Sequence, residues 1–109
     1  MSLVTAAQLR GLLIVAEGAL SEAQWRFWEG VMIEPETWRA PVETGFDFAV
    51  WVVAVQGDRA VWFNSVANCF ELSRFARPGQ LDAPGLGRGE LTALVDQLAS
   101  EDHARDRRG

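Results

Sequence analysis

The sequence predicts an α+β domain in which an antiparallel sheet of three to four strands packs with one helix near each end of the chain. Three observations carry this expectation. Leu9, Leu12, Leu13, Ala16 and Leu20 recur at helical spacing, and so do Leu91, Leu94, Val95 and Leu98. Between them lies a Val-, Phe- and Trp-rich stretch interrupted by Gly57-Asp58, the signature of a tight hairpin. Strands bracketed by helices, without a regular βαβ alternation, belong to the α+β class.

The first helix is expected over residues 6–19. Thr5-Ala6-Ala7-Gln8 fits a capping box, in which a hydroxyl and a side-chain amide satisfy the open N–H groups of a starting helix. Gly18 and Ser21 mark its end. Ser21-Glu22-Ala23-Gln24 repeats the capping box. It predicts a helical turn through Trp25 and Trp28, followed by a short strand near Gly30 to Ile33. Pro35, Pro41 and Gly45 then punctuate a segment expected to be a surface loop from Glu34 to Gly45.

The hairpin is placed at 46–55 and 60–65. A two-residue turn at Gly57-Asp58 pairs Val55 with Ala60, Val53 with Trp62 and Trp51 with Asn64. Alternation then sets Trp51, Val53, Val55, Ala60 and Trp62 on one face. Phe48, Val50, Val52, Ala54, Val61 and Phe63 fall on the other. Both faces are apolar, whereas an antiparallel sheet with one wet face alternates apolar with polar. Each face therefore needs a cover. Helices supply one; the second is expected from the Trp25–Trp38 segment, a partner chain or a ligand.

Downstream, Cys69 to Phe75 reads as an edge strand, and Pro78-Gly79 and Pro84-Gly85 as type II turns. The C-terminal helix is expected over 88–100. Residues 101–109, rich in charge and without a large apolar side chain, read as a frayed tail beyond a single domain of residues 1–100.

Composition narrows the function classes. The 109 residues are 49% hydrophobic and 23% charged, as in an ordinary globular protein. Fifteen acidic residues against ten basic ones give a net charge of −5, which argues against a nucleic-acid partner, since such binding draws on Lys and Arg at phosphates. The unbroken apolar run from Phe48 to Val55 is far too short for a membrane span, so no membrane role is expected and the cytoplasm is the default location. One Cys and one His leave no disulfide framework, and no metal site or cofactor is expected.

Several motifs carry chemistry on paper. Gly85-Leu86-Gly87-Arg88-Gly89 ahead of a helix suits an anion, but Glu90 takes the place of the third Gly of a dinucleotide fingerprint, and a flexible helix entry is the better reading. Cys69 has no nearby base in the sequence to make it a thiolate and reads as a small buried hydrophobe. Glu34 and Glu36, flanking Pro35, are the best carboxylate pair for acid–base work, although solvated loop charges fit them better. From Glu29 to Asp47 the chain holds five acids and Arg39, a segment able to steer a basic partner.

The leading expectation is a non-catalytic binding module acting through protein–protein contact, of an inhibitory or immunity-like kind. Its contact residues would be Trp25, Trp28, Glu34, Glu36, Trp38 and Glu43, since Trp is enriched at interface hot spots. Two copies pairing through a sheet face would also cover the apolar hairpin. The alternative is a small-molecule binding domain whose aromatic pocket holds Trp51, Trp62 and Asn64. A carboxylate-based enzyme ranks last.

Overall fold

A computed structural model of the chain describes residues 4–41, 47–82 and 85–108, with the side chains of 41, 47, 48 and 101–108 excepted. Three helices and five strands follow in the order α1 (Ala6–Gly18), α2 (Glu22–Val31), β1 (Met32–Pro41), β2 (Asp47–Gln56), β3 (Arg59–Asn64), β4 (Cys69–Arg74), β5 (Gly87–Gly89) and α3 (Leu91–Arg108). The strands form one antiparallel meander in the order β1-β2-β3-β4-β5. The class is α+β as expected, with a five-stranded sheet instead of three or four strands.

Both capping boxes form. The Gln8 N–H donates to Thr5 Oγ1 at 3.1 Å, and the Thr5 N–H donates to Gln8 Oε1 at 2.8 Å. Ser21 and Gln24 repeat the exchange at 3.1 and 2.8 Å. With its N-terminus satisfied in this way, the second segment is a full helix of 10 residues rather than a single turn.

The expected surface loop after Glu34 is in fact strand β1, up to Pro41. Pro35 is tolerated because the β1–β2 register shifts between Met32 and Glu36. A proline needs no ladder partner in such an irregularity on an outer strand.

The hairpin turn is where the sequence puts it. Gly57 adopts φ 59, the left-handed region open to glycine, and the pairs Gln56–Arg59, Val55–Ala60 and Ala54–Val61 follow. Beyond them the register slips by one residue, so that Val52 faces Trp62 and Trp51 faces Phe63. Val53 is the extra residue of a β-bulge, and Val53 and Ala54 both join the helix-side core. The bulge overturns the predicted faces. Trp51 and Val53 belong to the helix side with Ala54, Val61 and Phe63, while Val50, Val52, Ala60 and Trp62 belong to the opposite side.

The helix side packs Leu9 of α1, Trp28 and Val31 of α2, and Leu91, Leu94, Val95 and Leu98 of α3 on Val53, Val61, Phe63, Phe70 and Leu72. The other side of the sheet takes Ile33 and Trp38 from the Trp25–Trp38 segment, both of them in β1. A strap from Phe75 to Asp82 crosses this side, setting the buried Leu81 and the part-buried Phe75 against Trp38, Val50, Val52 and Trp62. Phe75 meets the Trp38 ring edge-on, with centroids 4.9 Å apart. The strap turns at Arg77-Pro78-Gly79-Gln80, where Gly79 has φ 96 and the Gln80 N–H bonds to the Arg77 carbonyl at 3.4 Å, the type II turn expected there. Its tip then pairs with β1: the Arg39 N–H donates to the Gly79 carbonyl at 2.9 Å, and the Leu81 N–H donates to the Arg39 carbonyl at 2.8 Å.

Gly87–Gly89, expected within the entry of the last helix, is strand β5 on β4. Gly89 at φ 142 cannot be helical, and α3 starts after it at Leu91. β4 is therefore an inner strand and not an edge. At its far end α3 runs past residue 100 to Arg108, and neither Gly nor Pro interrupts the sequence from Leu91 to Arg108. Pro84 lies outside the described residues.

Candidate functional site

Two grooves flank α1, and the helix between them carries the most exposed aliphatic side chains of the described residues. Leu12, Ile14 and Val15 face outward, Ile14 at 66% and Val15 at 78% of full exposure. The predicted stripe buries only Leu9 completely; Leu13, Ala16 and Leu20 are half-buried and Leu12 is exposed. The helix is apolar on nearly every side, whereas a surface helix ordinarily sets a polar face against water.

The first groove, about 470 Å³, runs between α1, the β3–β4 turn and the start of α3. Its walls are mainly apolar, with Leu12, Val15, Ala16, Phe70 and Leu91, and the half-buried thiol of Cys69 lies among them. The second, about 320 Å³, separates α1 from the α2–β1 corner. Leu13, Ile14, Trp25, Met32 and Ile33 line it, while Arg10, Glu17 and Glu34 add charge. An ion pair of 2.9 Å joins Arg10 to Glu34, both well exposed, so its contribution is small.

Of the residues singled out by sequence, Trp25 and Glu34 meet at this second groove. Trp28 does not belong to any surface: it is fully buried, and its indole Nε1 donates to Glu17 Oε2 at 2.7 Å. Trp38 is likewise buried, under the strap, with its indole donating to Glu36 Oε1 at 2.6 Å. Both indoles are core, because helical and strand spacing turned them inward. Glu34 and Glu36 take separate partners, Arg10 and the Trp38 indole. Glu43 lies outside the described residues.

The proposed aromatic pocket is not assembled. Trp51 and Trp62 occupy opposite faces of the sheet, Trp51 donating to the Val4 carbonyl at 2.9 Å and Trp62 to Ser73 Oγ at 3.0 Å. Asn64 instead turns to β4, its Nδ2 donating to Glu71 Oε2. Arg88 of β5 bonds the same oxygen at 3.1 Å. Glu71 is a buried carboxylate that sequence reasoning passed over. It lies in the segment expected to be an edge strand, but Gly85 comes back over it: a Cβ at Gly85 would sit 3.5 Å from Glu71 Oε1. Among the described residues no cluster of three His, Cys, Asp or Glu stands close enough to hold a metal ion. Among them, too, no helix is long and apolar enough to cross a membrane.

Comparison with protein-family models, with characterised proteins and with solved structures finds no match.

Proposed function

We propose that the chain is a binding module that acts through protein–protein contact, with the outer face of α1 and its flanking grooves as the contact surface. The observation that carries this reading is the exposure of Ile14 and Val15 beside Leu12 and Met32. Fully burying one such side chain is worth about 1.5–3 kcal/mol, so a partner seated here gains the free energy that the monomer forgoes. Glu17 and Glu34 at the second groove suit basic residues at the rim of that partner. The cytoplasm is the proposed setting, where Cys69 stays a free thiol. The test is binding by the wild-type chain against Ile14→Asp and Val15→Asp, with folding checked by circular dichroism. Loss of association in both variants supports the reading, and unchanged association overturns it.

A second reading follows from the first groove. Its volume of about 470 Å³ falls in the range of small-molecule pockets, and its apolar walls carry Asn68 and Thr92 as polar points. A ligand there would shield Cys69 from alkylation, and an alkylation rate unmoved across a ligand screen would count against it.

A further inference from the structure

We propose that the partner of α1 is a second copy of this chain, the two helices lying antiparallel with Ile14 of each copy seated over Gly11 of the other. This deepens the reading of α1 as a contact surface and depends on it.

The outward face of α1 is built from Ala7, Gly11, Ile14, Val15 and Gly18, with no charge among them. All five are exposed. A Cβ added at Gly11 or Gly18 would meet no atom within 4 Å, so both glycines open shallow recesses next to projecting aliphatic groups. Neither glycine has a positive φ that would demand it. Gly11 also weakens the helix interior in which it sits.

Projection and recess are arranged for self-pairing. When two copies of α1 run antiparallel with Gly11 opposite Ile14 of the partner, symmetry repeats the match and also sets Ala7 opposite Gly18. Each large group then meets a small one, and the backbones can approach closely. A parallel pair would instead stack Ile14 on Ile14 and leave glycine against glycine. A foreign partner needs no such internal symmetry, which is why the second copy is the occupant favoured.

Charge agrees. Arg10 and Glu17 lie two turns apart on the same flank of α1 and line the same groove. The helix has no acid in its first turn and no base in its last, while Glu17 sits near its C-terminus, the reverse of what its own dipole prefers. In the antiparallel pair Glu17 approaches the N-terminal half of the partner helix and its Arg10. In a parallel pair the two-fold axis would set the charged flanks on opposite sides, and Arg10 and Glu17 of the two copies would not meet.

The test uses the full chain. Light scattering should give twice the monomer mass for the wild type and the monomer mass for Ile14→Asp and for Gly11→Leu, with helical content preserved in both. In a Cys69→Ser background, an oxidised mixture of Ala7→Cys and Gly18→Cys chains should form a covalent dimer, while neither alone should. Like positions would lie about 16 Å apart at 1.5 Å per residue, beyond disulfide reach. A wild type that is monomeric at every concentration overturns the inference. So does a dimer indifferent to both substitutions, or one that cross-links through Ala7→Cys alone. If the wild type is monomeric yet Ile14→Asp abolishes binding of another protein, the second copy is rejected while the contact surface itself stands.

Discussion

The indole of Trp28 donates to the carboxylate of Glu17 across 2.7 Å, tying the buried centre of α2 to the last turn of α1. Together with Leu9 in the core, this bond holds α1 on the domain with Ile14 and Val15 outward. Trp28→Ala should therefore cost about 3–5 kcal/mol by loss of a fully buried aromatic. Glu17→Ala should cost about 1–3 kcal/mol, because the indole N–H loses its acceptor. Denaturant melts of both variants measure this.

The two tryptophans of the hairpin should behave differently. Trp62 is buried and bonded to Ser73, whereas Trp51 is half-buried at the margin of the helix layer. Trp62→Ala is expected to cost about 3–5 kcal/mol and Trp51→Ala about 2 kcal/mol. Equal losses in chemical unfolding would contradict their difference in burial.

The hairpin also shows how far the sequence can be read. Gly57 and the turn are legible because only a residue without Cβ takes that φ easily. The bulge at Val53 is not, since Val on either side of the slip is equally apolar and leaves no trace in the pattern. Thr5 and Ser21 announce their helices through local hydrogen bonds. The strap depends on contacts distant in sequence, so Leu81 between Gln80 and Asp82 gives no local sign that it is core. Trp28 and Trp38 read as surface because a short helical turn and a loop give no inner side to assign them to. Trp25 and Glu34, both singled out by the sequence, line the second groove. The outer face of α1 gives no separate signal, because Ile14 and Val15 continue the apolar run of Leu12 and Leu13.

Leu81→Ala should cost about 2–5 kcal/mol, the range for truncating a fully buried leucine. It should also raise binding of an apolar dye as the strap loosens from Val52 and Trp62. Dye binding equal to that of the wild type would mean that the strap holds without its leucine.

Glu71→Ala should cost about 1–3 kcal/mol, because the Asn64 amide and the Arg88 guanidinium lose a shared acceptor. Thermal melts of Glu71→Ala and Glu71→Gln separate the acceptor from the charge, with Gln expected to recover part of the loss.

Gly11→Ala should stabilise the chain by about 0.5–1 kcal/mol when measured dilute, since the added methyl meets open space and lowers the entropy lost on forming the helix. Urea melts over a range of protein concentration check it, and a destabilised variant would show that Gly11 is held against something in the monomer.

The bond pair at Arg39 has an effect beyond holding the strap. An outermost strand offers unpaired N–H and C=O groups on which a foreign strand can grow, the first step toward polymerisation. On β1 those of Arg39 are already consumed by Gly79 and Leu81, and at the opposite margin β5 is only three residues long. An incoming strand would have to evict the first or settle for the brevity of the second. Both margins of a sheet this rich in Val, Phe and Trp are thereby made poorer templates for a further strand.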